Sequence, residues 1–214
     1  MSKREGNVYS IGVLNGWPLF FLIAALNALI MVTGFSIIGM DTSRAVVDLI
    51  RLSVQISAPW IYITFIASAL VKLYPSHASR WVLRNRRYLG LSFAAAMGWQ
   101  LIFIIVLFVL YMPFYLQEIH KTFDLIGRTF AYLLLFAMTI SSFYPVRRRM
   151  RPQHWRWLHL GGVWLMFLSM WTSYGSIIII PNAPLIAYVL FILASIALII
   201  RLKAYRLAKV KAQS

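Results

Sequence analysis

Long stretches without a charged residue constrain this chain more than any other feature. The central stretch, Tyr88 to Gln117, runs for 30 residues without Asp, Glu, Lys or Arg. An α-helix rises about 1.5 Å per residue, so about 20 residues cover a hydrocarbon core about 30 Å thick. Only 12% of the whole chain is charged and 61% is hydrophobic, whereas soluble domains carry about 25% charged residues. The sequence therefore predicts an integral membrane protein.

The uncharged stretches predict one all-α domain over residues 1–214, a six-helix transmembrane bundle. The 44 uncharged residues from Trp157 to Ile200 are too many for one span, and Pro181-Asn182-Ala183-Pro184 is the expected turn between two spans. The predicted spans are about 13–38, 45–74, 88–114, 128–146, 157–180 and 185–200. Residues 75–87 and 147–156 are predicted as basic loops.

The charges predict the orientation of the bundle. The net charge is +16, and with six spans 17 of the 21 lysines and arginines fall on the side of both termini and the two basic loops. The positive-inside rule places this side, with both termini, in the cytoplasm. The basic residues flank spans and do not follow a groove with stacking aromatics, so we expect no nucleic acid partner. The expected partner is the lipid bilayer with its anionic head groups, and the expected location is the bacterial inner (plasma) membrane, as a multi-pass protein.

Some chemistry is excluded by what the sequence lacks. Without cysteine there is no disulfide, thiolate-bound iron–sulfur cluster or thioether-attached haem. Zinc-protease, phosphate-binding glycine-loop and nucleophile-elbow motifs are absent too. Because six spans leave no room for a soluble domain, any flavin- or nucleotide-binding partner is expected on another chain.

Two polar groups in the spans are candidates for function. Asp48, Arg51 and Gln55 share one helical stripe, which is either an interfacial ion pair or a contact to an anionic group of a cofactor or substrate. His159, just inside the fifth span, is either a hydrogen-bonded structural residue or a contact to haem or quinone. His77, His120 and His154 belong to links and are expected to be solvated.

Motifs at the start of three spans resemble a known family. They are Arg86-Arg87-x-Leu89-Gly90-Leu91-Ser92-Phe93-Ala94, Arg128 and Trp155-Arg156-x-Leu158-His159. With the order of six spans, over about residues 45–200, they resemble the ferric-reductase-like transmembrane family, which includes the haem-binding membrane subunit of the methionine sulfoxide reductase system. The resemblance implies b-type haem held by histidine pairs between the third and fifth spans. It also implies electron transfer across the bilayer from a separate flavoprotein or quinol.

Most ligand positions of that family are changed here. Gln100 and Met97 stand where members carry histidines on the third span, and on the fifth span His159 matches the first ligand position and Thr172 the second. Glutamine and threonine are poor iron ligands. Met97 remains as a replacement axial ligand, but it lies about 15 Å below the cytoplasmic edge and His159 only about 5 Å. We interpret this pattern as the loss of one haem site.

Three functions stay open on the sequence. The first is membrane electron transfer with an atypical b-type haem or a quinone, in which the chain would be at most the membrane subunit of an oxidoreductase. The second is a haem-free interaction or assembly subunit acting through its basic loops. The third is a small transporter or lipid-binding protein with a polar pocket formed by Asp48, Arg51, Gln55 and Gln100. The predicted cofactor-binding residues are His159, which would also ligate haem iron, and Met97, Gln100, Thr172 and Arg51. The predicted partner is a separate flavoprotein, quinone or other redox subunit.

Overall fold

A computed structural model of the protein describes residues 14–119 and 122–211. Within these ranges all regular secondary structure is helical. The helices are α1 (Gly16–Ile38), α2 (Ser43–Leu73), α3 (His77–Leu110), the short α4 (Met112–Phe114) followed by a π-helical turn (Tyr115–Ile119), α5 (Thr122–Ser141), α6 (Tyr144–Arg149), α7 (Pro152–Ile177) and α8 (Leu185–Lys211). Both chain ends, residue 13 of the first predicted span and His120 lie outside the described ranges.

Four of the described helices are long and apolar enough to cross a bilayer: α1, α2, α3 and α8. This composition is that of a multi-pass integral membrane protein, as the sequence predicts. Helix α5 contains a shorter apolar stretch, Ile126–Ser141.

The two predicted basic loops are wrong, because helices replace most of both. Helix α3 begins at His77 because Ser76 caps it: the Ser76 hydroxyl accepts from the backbone N–H of Ser79 (3.1 Å), and the Ser79 hydroxyl accepts from that of Ser76 (2.9 Å). In the second loop, residues 144–149 form α6, and α7 begins with Pro152 in the first helical turn, where its missing N–H is harmless. The arginines of residues 80–87 therefore lie on a helix, which fixes the side of the helix from which each side chain projects.

Helix α2 lies at the centre of the bundle. It packs along much of its length against α3 and also contacts α1, α7 and α8. Helix α5 contacts α7 and α3, and α7 contacts α8. Phe65 of α2 and Phe167 of α7 are fully buried, and their rings stack with centroids 3.8 Å apart. We call the end at which α2 and α5 finish and α3 and α7 begin the basic end.

The last helix is tied to the central one at this end. Arg201 of α8 donates to the backbone carbonyl of Phe65 (3.1 Å) and to the hydroxyl of Ser68. Its guanidinium also lies over the Phe65 ring, 5.4 Å from the centroid. A charged side chain in the second half of α8 thus satisfies polar atoms within α2.

Candidate ligand-binding cavity

A cavity of about 450 Å³ lies at the basic end, between α2, α3, α5 and α7. Its volume is within the range of about 300–1,000 Å³ that small-molecule sites occupy. Helices α3 and α7 face each other across this space, while α2 and α5 form its sides. The deepest part, farthest from the basic end, is apolar and is lined by Ile61, Phe93, Leu135 and Met166.

The mouth of the cavity is cationic. Five arginines line it: Arg84, Arg86 and Arg87 from α3, Arg147 from α6 and Arg156 from α7. Because guanidinium groups stay protonated at physiological pH, this mouth keeps its positive charge under all relevant conditions.

Backbone and aromatic groups hold these arginines in place. The Nε of Arg86 donates to the backbone carbonyl of Thr64 on α2 (3.1 Å). The guanidinium of Arg87 lies over Trp17 and Tyr88, 5.7 and 5.6 Å from the ring centroids. Such cation–π contacts orient a cation without neutralising it.

No acidic side chain balances this charge within the cavity wall. Among the described residues that line the cavity, none is Asp or Glu. The one ion pair found in the described part of the chain joins Arg51 and Asp48 near the start of α2, at the opposite end of the bundle. Arg86 and Arg87 are half-buried without a counter-ion among the described residues, which is costly, so the mouth favours an anion from outside the protein.

His159 belongs to a cluster that joins the start of α7 to the ends of α5 and α6. Its Nε2 lies 3.0 Å from the Ser141 hydroxyl, and its ring packs 4.4 Å from that of Trp155. The Trp155 Nε1 donates to the Ser141 carbonyl (3.1 Å), and the Arg147 guanidinium lies 4.5 Å from the centroid of the Trp155 ring. This cluster fixes the position of His159 and Arg147 on one wall of the cavity.

Two polar atoms near the cavity lack a partner among the described residues. Thr64 lines the cavity, its side chain is only 4% exposed, and its hydroxyl makes no hydrogen bond. The Nε of Arg87 is also buried without a partner. Leaving such a group unsatisfied costs about 1–3 kcal/mol.

Of the five predicted site residues, only His159 lines this cavity. The Met97 sulfur accepts a hydrogen bond from the Ser57 hydroxyl (3.4 Å), which links α3 to α2. The Gln100 side-chain oxygen accepts from the Tyr132 hydroxyl (2.8 Å), which links α3 to α5. Both residues therefore connect helices.

Thr172 and Arg51 lie elsewhere. Thr172 is exposed, and its hydroxyl donates to the carbonyls of Leu168 (2.8 Å) and Ser169 (3.1 Å) in its own helix. Arg51 pairs with Asp48 at 2.9 Å, with side chains 69% and 53% exposed. This pair is one of the two alternatives that the sequence left open for this stripe. His77 and His154 are exposed, as expected.

The cavity residues do not fit a haem held by two axial ligands. Such a haem needs two ligand atoms facing each other across one iron. His159 is the one histidine on the described wall, and the Met97 sulfur faces Ser57 on α2. The described residues also contain no group of three or more His, Cys, Asp or Glu side chains able to hold a metal ion. Haem b and its ligation by His159 rest on the resemblance alone and stay predictions.

Sequence reasoning assigned the arginines of the mouth to topology alone and did not select Thr64. The sequence did contain a signal for Arg86. In a helix through residues 80–90, Arg86 and Gly90 lie on the same face, because they are four residues apart. Gly90 favours close approach of a neighbouring helix, so Arg86 would also have been directed at that helix. Thr64 carries no such signal, because its role depends on which helices surround it.

Comparison of the chain with protein-family models, curated proteins and solved structures finds no match.

Proposed function

We propose that this protein binds an anionic, amphipathic molecule of the lipid class in the cavity between α3 and α7. The observation that carries the proposal is the pairing of an arginine-lined mouth with an apolar interior and, on the described wall, no acidic residue. This is the lipid-binding alternative from the sequence, but at different residues from the stripe of Asp48 and Arg51.

Both the anionic head and the apolar chain of such a ligand are stabilised in the cavity. The anionic head meets cations that are already oriented by Thr64 and by aromatic rings, so little side-chain ordering remains to be done on binding. The apolar part fills space lined by Ile61, Phe93 and Met166, and apolar surface removed from water contributes about 25 cal/mol per Å². A molecule that already lies in the membrane, head at the interface and chain inward, has the matching shape.

We also propose six crossings with both termini in the cytoplasm of a bacterial cell, so that the cavity opens at the cytoplasmic side of the inner membrane. With 20 and 26 residues, α5 and α7 extend about 30 and 39 Å, enough for one crossing each. Both pack against helices that are apolar enough to span, α3 for α5, and α2 and α8 for α7. The concentration of arginines at the basic end supports the orientation.

Cysteine labelling distinguishes six crossings from four, and the chain has no native cysteine to remove. Gln153→Cys, in the first turn of α7, lies inside the cell with six crossings but outside if α5 and α7 do not cross. Asp41→Cys, between α1 and α2, lies outside in both cases and is the control. We expect a membrane-impermeant maleimide to label Asp41→Cys in intact cells and Gln153→Cys only after permeabilisation. Labelling of both in intact cells would overturn the six-span proposal.

Retained lipid tests the binding function. We expect protein purified in a mild detergent to carry anionic lipid, measured by native mass spectrometry and lipid extraction. Neutralising two exposed arginines of the mouth, Arg147→Gln with Arg156→Gln, should remove it. The control is Arg148→Gln with Arg149→Gln, which removes the same charge from exposed arginines outside the cavity. Equal lipid content in the two double variants would contradict the proposal.

Membrane electron transfer with a quinone beside His159 is a second candidate. The observation that favours it is that His159, the residue matching a ligand position of the ferric-reductase-like family, lies on the cavity wall. A separate flavoprotein or other redox subunit would then supply the electrons. The absorption spectrum and quinone content of the purified protein test this candidate: a reducible chromophore lost in His159→Ala supports it, and a colourless protein without quinone rejects it.

A further inference from the structure

We propose that the head group bound at the mouth of this cavity is a phosphate monoester of a membrane lipid, held by Arg86 and Arg147 beside His159 and Thr64. The inference rests on the proposed lipid-binding function and names the chemistry of the head group.

Cations from separate helices converge at this point. Arg86 comes from α3 and Arg147 from α6, and both lie close enough to His159 of α7 to interact with its ring electrostatically. All three residues line the cavity, as does Thr64 of α2. The head group would therefore lie among residues of four helices.

The donor geometry suits an anion with several oxygens. Because the Nε of Arg86 donates to the Thr64 carbonyl, its two terminal amino groups are directed to other acceptors. The Arg147 guanidinium lies over the Trp155 ring, 4.5 Å from the centroid, which leaves its N–H groups available for hydrogen bonding. Two guanidinium groups from separate helices match three phosphate oxygens better than the two oxygens of a carboxylate.

The positive charge of the site also favours a phosphate monoester. At neutral pH a phosphate monoester carries about −1.5 to −2, whereas a carboxylate or a phosphate diester carries about −1. Arg86 and Arg147 are two of the five arginines of the mouth, and the described wall includes no acid. A monoester therefore compensates more of this positive charge than a singly charged head does.

Binding of matched short-chain amphiphiles tests the inference on the full-length protein in detergent micelles. The probes are dioctanoyl phosphatidic acid, dioctanoyl phosphatidylglycerol, octanoate and inorganic phosphate, titrated by native mass spectrometry and by thermal shift. We expect phosphatidic acid to bind at one site about tenfold or more tighter than phosphatidylglycerol or octanoate. Inorganic phosphate, which lacks the chain, should bind at least tenfold more weakly than phosphatidic acid.

Single variants assign the site. Arg147→Gln should lower the affinity for phosphatidic acid about tenfold or more and should reduce its preference over phosphatidylglycerol. Arg148→Gln, on the same short helix but outside the cavity, should change neither. Arg86→Lys keeps the charge but loses the fork and should also reduce the preference. If the Arg86 variant does not fold, Arg147→Gln alone decides.

The outcomes separate this inference from the function on which it rests. Equal affinity for phosphatidic acid, phosphatidylglycerol and octanoate, lost in Arg147→Gln, would overturn the phosphate assignment and leave lipid binding in place. Equal affinity for inorganic phosphate and phosphatidic acid would overturn the lipid source. No saturable binding of any probe would overturn both proposals.

Discussion

Two adjacent glycines of α7 allow the packing around the cavity to be tested with a matched pair of substitutions. Gly162 is buried against α5, and a Cβ atom there would overlap the Met138 sulfur and come within 3.1 Å of its Cγ and Cε. Gly161 is exposed, and a Cβ atom there meets nothing within 4 Å. The two positions share a helix and a residue type, so Gly161→Ala is the control for Gly162→Ala.

The expected magnitudes follow from two effects. Replacing glycine by alanine inside a helix favours folding by up to about 1 kcal/mol at either position. Gly162→Ala also forces the end of the flexible Met138 side chain to move; overpacking costs about 1–3 kcal/mol, and the low end applies here because Met138 borders the cavity and can move into it. We therefore expect Gly161→Ala to be neutral or stabilising and Gly162→Ala to be about 1 kcal/mol less stable than Gly161→Ala.

The same displacement should reach the cavity, because Met138 lines it. A methionine pushed away from α7 occupies space that a ligand would fill, so Gly162→Ala should bind lipid more weakly than Gly161→Ala. The assays are thermal unfolding in detergent, followed by size-exclusion chromatography, and lipid retention by native mass spectrometry.

A double variant tests the cause. Met138→Ala removes the sulfur with which the new methyl group collides, so the two substitutions together should cost less stability than the sum of their separate losses. Equal stability of the two single alanine variants would refute the steric argument. So would a double variant in which the losses from Met138→Ala and Gly162→Ala simply add.

Three further predictions concern contacts outside the cavity. Tyr132→Phe removes the donor to the Gln100 side-chain oxygen and should cost about 1–3 kcal/mol in thermal unfolding, because a part-buried acceptor loses its partner. Arg51→Gln should change stability by less than about 1 kcal/mol in the same assay, because Arg51 and Asp48 form an exposed pair. Ser76→Ala should cost about 0.5–2 kcal/mol, measured in the same way, because it removes the cap of α3.

Matched controls accompany these predictions. Tyr144→Phe, at a tyrosine 69% exposed, should be neutral and calibrates the loss of a hydroxyl. Ser76→Asp keeps a capping oxygen and should keep most of the stability that Ser76→Ala loses. A large loss in Arg51→Gln would instead indicate that this arginine has a role beyond its pair with Asp48.

The sequence was informative where one residue property decides the structure. Uncharged stretches predicted α1, α2, α3 and α8 because crossing a hydrocarbon core requires length and apolar composition. It failed at residues 77–87, where the density of arginines suggested a loop and the local cap formed by Ser76 and Ser79 starts a helix instead.

The candidate site was harder to predict for a different reason. His159 could be selected because histidine is rare in spans and matched a family position. Arg86, Arg147 and Thr64 become neighbours only when α3, α6 and α2 are packed together, and no spacing along the chain encodes that meeting. Met97 and Gln100 share a helix face with a proposed ligand set, but the structure uses them to join α3 to α2 and α5.

The tie between Arg201 and α2 has a consequence for biosynthesis. The carbonyl of Phe65 and the hydroxyl of Ser68 enter the membrane more than 130 residues before the arginine that donates to them is synthesised. Until the ribosome has released the final helix, the central helix lacks this partner. A nascent chain that stops before residue 201 therefore leaves the bundle without this contact between its last and its central helix.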